Sequence, residues 1–488
     1  MYVPSLSVNR ISTKLVLCAA LVLGADFLFY REKEGWTLGL FACALSAAVV
    51  QCSPLTFHHR IFKRIAYACF GLVCALIESP ASLAFWLFCF TAIGLALAPL
   101  WVRMADARSI TKTILRHACT GWSMFFRDSV TLLRVRQRIQ RRHGKKQVFI
   151  RHWLLPLGLS TVFILLFATA NPIITGWMQT VQWHKIMQYI SVLRLLFWVI
   201  LAALCWSVLR PCMRRYILRT RKRLRPSTHA ASLSALLFNP RSIFTSLLLF
   251  NGLFAVQNAL DITFLWSHAA ALPDGMTYAQ YAHQGAYPLI VTALLAAWFV
   301  LVALKPHSDT EQMPAIRALV FAWVGQNIFL VFSSMLRLLG YIEEYSLTYL
   351  RIAALIWMML VALGLMFIIL RIRLQKSNLW LVNSNAMTLY ATLYLCCFIN
   401  FGSIIAQYNV SHAYEVRGEG VLLDTYYLEW EVGVAAIPSL RWFEKHYPDS
   451  PRVPEIRVIR ERLQQRLYAA SQDWRQWTLR NFRQQLFY

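Results

Sequence analysis

Apolar runs that approach or exceed the length needed to cross about 30 Å of hydrocarbon recur along this chain, and they leave few folds open to it. A run of that length inside lipid must satisfy its own backbone hydrogen bonds, which a helix does. Eleven such spans are expected, at Lys14–Tyr30, Trp36–Cys52, Ile65–Ile77, Ala81–Val102, Trp153–Ile174, Met187–Leu209, Arg241–Trp266, Tyr287–Leu304, Ala315–Leu338, Leu347–Leu370 and Leu381–Ile405. The fold class is therefore all-α, a polytopic transmembrane bundle of about eleven helices. With 58% hydrophobic residues, 15% charged residues and a mean hydropathy of +0.49, the chain falls outside the range of an ordinary soluble protein. The first span resembles a signal peptide, but no clear A-x-A site precedes a soluble domain and a second apolar run follows at once. It is read as a span, with Asp26 a solvated acid near its outer end.

The net charge of +27 invites a nucleic-acid reading. The bases, however, concentrate between the apolar runs, as they do in loops retained on the inner side of a membrane. Phe57–Arg64, Arg103–Arg151, Arg210–Pro226 and Arg371–Lys376 are such loops; the second holds 13 Lys and Arg against 2 Asp. The Ser267–Tyr287 loop has no Lys or Arg and is expected outside. The N-terminus is thus expected inside and the C-terminus outside. Within Arg103–Arg151, Ile110, Ile114, Ala118, Trp122 and Phe125/Phe126 recur at helical spacing among Lys112, Arg116 and Arg127. That pattern suits an interfacial helix on anionic headgroups. The basic run Arg134–Lys146 lacks the aromatic interleaving of a nucleic-acid surface, so no nucleic-acid partner is expected.

Four regions follow: 1–102 with spans one to four, the basic loop 103–152, spans five to eleven over 153–405, and an extracytoplasmic tail, 406–488. The tail balances acids and bases and is rich in aromatics. Arg457–Phe487 has helical composition, with Leu463, Leu467, Trp474 and Trp477 on one stripe. The cysteines lie in apolar runs or inner loops and read as buried fillers. No CxxC or Cys/His spacing points to a metal, and the adjacent His58 and His59 read as a solvated loop. No cofactor is expected.

Ionisable groups in or beside a span are costly and should face a partner or a wet cavity. They gather in Asn251–Arg351. Asn251 and Asn258 lie seven residues apart and Asp261 three further, so all three can share one helix face. Arg337 is expected to close span nine and Arg351 to open span ten, with Glu343 and Glu344 in the turn between them. The candidate ligand-binding set is Asn258, Asp261, Tyr278, Tyr281, Arg337, Tyr341, Glu344, Tyr345 and Arg351. Of these, Asp261, Arg337, Glu344 and Arg351 are expected at one depth near the outer interface, forming either a charged cleft for an anionic headgroup, solute or proton, or a salt-bridge knot that fixes helix ends. The knot is the favoured reading. The Tyr-rich loop reads first as an interfacial aromatic belt.

Three passages resemble an uncharacterised bacterial inner-membrane family, domain of unknown function 4173. They are LPDGMTYAQYAHQGAYPLI (Leu272–Ile290), SSMLRLLGYIEEYSLTYLRIAALIWM (Ser333–Met358), and AQYNVSHA (Ala406–Ala413) with LLDTYYLEWEVGVAAIPSL (Leu422–Leu440). The resemblance, from about Asn251 to Leu440, implies a membrane protein with an external tail. It implies no activity or ligand.

HExxH, GxSxG, P-loop and Gly-rich nucleotide signatures are absent. The first outer loop, Arg31 to Trp36, is too short to carry the acids of a lipid-linked glycosyltransferase, so a membrane-embedded transferase ranks third. A transporter would favour broken helices in matching halves of an internal repeat, and the obvious break is in span five alone, at Pro156 and Pro172. The favoured expectation is a non-enzymatic envelope scaffold or sensor, with membrane lipids at its basic inner loops and an envelope protein on its tail. A transporter of a small solute or lipid is the alternative.

Overall fold

The computed structural model describes residues 8–53, 60–101, 107–131, 156, 159–160, 192–211, 240–266, 295 and 313–486. Among them every regular element is helical. Five helices are long and apolar enough to cross a membrane, or six if a bent pair near the C-terminal side counts as one span. Spans five and eight lie outside the described residues, save for Pro156, Leu159, Ser160 and Leu295. The helix matching span two is apolar but, at 16 residues, shorter than a full crossing. The one matching span three carries Arg60, Lys63 and Arg64 in its opening turns. Those bases were expected in a loop; the helix already includes them, starting at Arg60.

Two compact units divide the chain. The first comprises Met1–Pro80, Phe85–Met104 and Ile110–Thr220. It contains α1 (Val8–Phe29), α2 (Thr37–Cys52), α3 (Arg60–Glu78), most of α4 (Ser82–Trp101), most of α5 (Ala107–Thr120), a helical stretch over 123–131, and α6 (Val192–Leu209). Its core gathers Cys18 and Leu21 of α1, Ala48 and Val49 of α2, Phe62 and Cys69 of α3, Leu95 of α4, and Trp206 and Leu209 of α6. With no water to expel between spans, association rests on close packing, so small residues matter. At Gly39 an added Cβ would stand 2.4 Å from Ile77 Cγ1 and 3.0 Å from its backbone nitrogen, so glycine lets α2 and α3 touch there. Helices α1 and α6 run antiparallel: Lys14 Nζ donates to Leu209 O at 2.7 Å, Cys18 faces Ala202 O, and Asp26 meets Arg194.

The second unit includes Arg221–Tyr488. Its helices are α7 (Pro240–Asp261, continued by a π-turn, Ile262–Trp266), α8 (Pro314–Tyr345), α9 (Tyr349–Arg373), α10 (Asn378–Cys396), α11 (Phe401–Ser411), α12 (Ile437–His446), α13 (Val453–Gln472) and α14 (Leu479–Leu486). Span eleven was expected to run unbroken from Leu381 to Ile405. Instead α10 ends at Cys396 and α11 departs at 69°. Asn400 starts the new helix, its side chain accepting from Ser403 N at 3.3 Å, a cap that Asn supplies well.

The tail folds onto this bend. One core joins Ile342 and Leu347, at the end of α8, to Ile405 and Val410 of α11, Leu440 and Phe443 of α12, and Ile456, Leu463 and Leu467 of α13. Burying each such side chain from water contributes roughly 1.5–3 kcal/mol. Trp474 and Trp477, expected on the α13 stripe, fall beyond its last residue, Gln472, where Asp473 turns the chain by accepting from Arg475 N at 2.9 Å.

Candidate functional site

The register of α7 against α8 places the polar residues. Asn251 Nδ2 donates to Leu319 O at 3.0 Å, Asn258 Nδ2 to Gln326 O at a long 3.5 Å, and Trp266 Nε1 to Ser333 Oγ at 3.1 Å. The partner numbers rise together, so α7 and α8 run parallel. Seven residues bring a helix back to nearly the same face, so Asn251 and Asn258 meet α8 in the same way, each tying one helix to a carbonyl of the other. Phe250 stacks on Trp323 at 5.3 Å and Trp266 on Phe329 at 5.4 Å, sealing the seam on its apolar side.

At the end of this seam Asp261, 0% exposed, receives the guanidinium of Arg337, itself 7% exposed. Gln257 Nε2 donates to the same carboxylate oxygen at 3.1 Å. Asn258, Asp261 and Arg337 are thus brought together. Arg337 was expected to close its helix and does not; α8 continues for two further turns, and Glu343 and Glu344 belong to its last turn rather than to a following loop.

Tyr341 and Tyr345, farther along α8, form a second group with Arg351 of the first turn of α9. The two tyrosine rings lie 4.8 Å apart, and the Arg351 guanidinium sits 4.4 Å above Tyr341. It donates to the carbonyls of Tyr345 and Ser346. Those carbonyls end α8 without helical partners, and a cation there also meets the negative end of the helix dipole. Arg351 therefore caps α8 rather than joining the Asp261 pair. Glu344 is half-buried beside this turn. Tyr278 and Tyr281 lie outside the described residues.

The first unit holds a pair that sequence reasoning missed. Asp26 is buried at 9% exposure, not solvated, and its carboxylate takes Arg194 Nε and Trp198 Nε1, each at 2.9 Å. Arg194 also lies 5.1 Å over the Tyr30 ring. The available signal was sign: Asp26 and Arg194 are opposite charges within apolar runs, and each needs a partner. Arg371, expected to mark an inner helix end from solvent, is 0% exposed.

Among the described residues, no group of three or more His, Cys, Asp or Glu could hold a metal ion, and the ten cysteines are free. His58 and His59 lie outside those residues. Among the described residues, the seam holds the Asp261 carboxylate between a guanidinium and an amide, an arrangement that joins helices at a fixed register.

The sequence model of a family described as "Domain of unknown function (DUF4153)" matches residues 64–441. The match takes in all three passages that resemble the family numbered 4173, and it begins within α3, well ahead of them. No curated protein matches the chain, and no solved structure does.

Proposed function

We propose that this chain, which belongs to the DUF4153 family across residues 64–441, is a non-enzymatic scaffold or sensor of the bacterial inner membrane. Its helices are apolar enough to embed it. The likeness of Asn251–Leu440 to the family numbered 4173 supports the same class and brings no activity with it. The observation that carries the reading is the single core joining Ile342 and Leu347 of the α8 end to Ile405, Phe443 and Leu463. A tail built into the span ends transmits force or position instead of swinging free. Its outer side displays Tyr426 and Trp430, with Arg466 4.6 Å over the Trp430 ring. Exposed aromatic and arginine side chains are the types that anchor protein interfaces.

A photoreactive residue at Tyr426, in the full chain expressed in cells, should crosslink to one discrete partner, and Trp430→Ala should reproduce the phenotype of losing the protein without unfolding it. A tail that crosslinks to nothing and tolerates Trp430→Ala would overturn the reading. The bend between α10 and α11 favours a second reading, a transporter, because broken helices build transport sites. Uptake of a small solute by purified protein in liposomes, lost on straightening substitutions at Asn400, would select it.

A further inference from the structure

The last turn of α6 grips the stretch that precedes it in the chain. His117 Nε2 lies 3.0 Å from Ser207 O. Asp128 accepts from Trp206 Nε1 at 3.1 Å and from Arg210 at 3.3 Å. Gly121 makes the approach possible, since a Cβ there would lie 3.0 Å from Ser207 Cβ and 2.6 Å from His117 O. Ile114, 1% exposed, packs with Leu97 of α4. Because α6 is long and apolar enough to span, its last turn marks the depth where hydrocarbon gives way to headgroups. Residues 110–131 are pinned at that depth by one face.

The other face is apolar as well. Leu115, Trp122, Phe126 and Val130 are 55%, 52%, 47% and 46% exposed, and Cys119 continues their line. Trp122 and Phe126 pack edge to face at 6.4 Å. Exposed Lys112, Arg116 and Arg127 stand beside them, with no acid partner among the described residues. The sequence placed Ile110, Ile114, Trp122 and Phe126 on one stripe; the turn at Gly121 splits it, turning Ile114 inward while Trp122 and Phe126 face out.

We propose that Leu115, Cys119, Trp122, Phe126 and Val130 lie in the headgroup–acyl boundary of the bilayer, with Lys112, Arg116 and Arg127 on anionic lipid phosphates. An apolar stripe of this length does not stay in water. Its fixed depth, its indole ring and its flanking bases match a membrane surface, where Trp collects and polybasic segments bind. The inference does not depend on the scaffold reading.

The test uses the full chain in nanodiscs of phosphatidylcholine with or without phosphatidylglycerol. Cys119 is kept as the sole cysteine and labelled with an environment-sensitive fluorophore. Expected is a blue-shifted emission quenched at least threefold more by nitroxide lipids labelled near the headgroup than by aqueous iodide. Stronger quenching by iodide, or no quenching by either because protein covers the site, overturns the proposal. In a second arm Lys112→Gln, Arg116→Gln and Arg127→Gln together should lower co-purified phosphatidylglycerol at least threefold; unchanged lipid overturns the headgroup assignment. Should the cysteine-depleted chain not fold, mass spectrometry of the unsubstituted protein reads the same face. A membrane-partitioning maleimide should modify Cys119 at least threefold faster than a water-soluble one, and the reverse order overturns the proposal.

Discussion

Removing one member of the Asp261–Arg337 pair is the sharpest test of what the α7–α8 seam does. With Asp261→Leu, the Arg337 guanidinium, 7% exposed, loses its carboxylate inside the seam, and Gln257 loses the acceptor it reaches at 3.1 Å. Arg337→Leu leaves a carboxylate at 0% exposure with only an amide donor. Breaking a buried ion pair this way costs on the order of 3–5 kcal/mol, because the stranded charge keeps its desolvation penalty. That is a fall of roughly 10²- to 10⁴-fold in the ratio of folded to unfolded protein. The double variant Asp261→Leu with Arg337→Leu removes both charges and both penalties, so it should stand within about 1–2 kcal/mol of the parent. The charge-reversed pair, Asp261→Arg with Arg337→Asp, should recover part of the loss. Thermal unfolding in mild detergent, scored by the monodisperse fraction, measures all of these together with complementation in cells. Single variants that melt like the parent yet lose function, with no rescue by either double, would refute the reasoning. Asp261 and Arg337 would then belong to a ligand site.

Asp26→Asn should lower the same melt less than Asp261→Leu does, because Arg194 is 44% exposed and solvent screens part of the pair. Gly121→Ala should destabilise by about 1–3 kcal/mol, since the new methyl must displace backbone at His117 O; an unchanged melting temperature would contradict the close approach. Burial holds His117 below the usual imidazole value of 6.5, against a smaller raising effect of its bond to Ser207 O. The unfolded chain then binds a proton first as pH falls, so this contribution is whole above pH 6.5 and lost as pH drops below it toward the lower folded value. His117→Gln should flatten that slope. Ser471→Cys, in a chain otherwise free of reactive thiols, should react with an impermeant reagent from outside intact cells, as the distribution of basic loops requires.

The apolar runs and the bases between them are local properties, and the sequence alone determined from them that this is an all-helical chain able to enter a membrane. Helical spacing likewise put Asn258 and Asp261 on one face, because a face depends only on residues three to seven apart. Partners across the fold were another matter. Asp26 reads as a solvated acid until α1 and α6 lie antiparallel and bring Arg194, 168 residues away, to its carboxylate. Arg337 and Arg351 look alike near a turn, but only the true length of α8 assigns one to Asp261 and the other to the helix's own last carbonyls. The 69° bend at Cys397–Asn400 follows no proline. Ile405 and Ala406 beyond it are fully buried against the tail, so burial there, together with the Asn400 cap, outweighs a continuous helix. Which face of residues 110–131 meets protein and which meets its surroundings was decided by Ser207 and Asp128, since both faces are apolar and periodicity cannot choose between them. Local pattern determines what a segment can be, whereas the pairing of charges depends on where the packing of distant helices brings them.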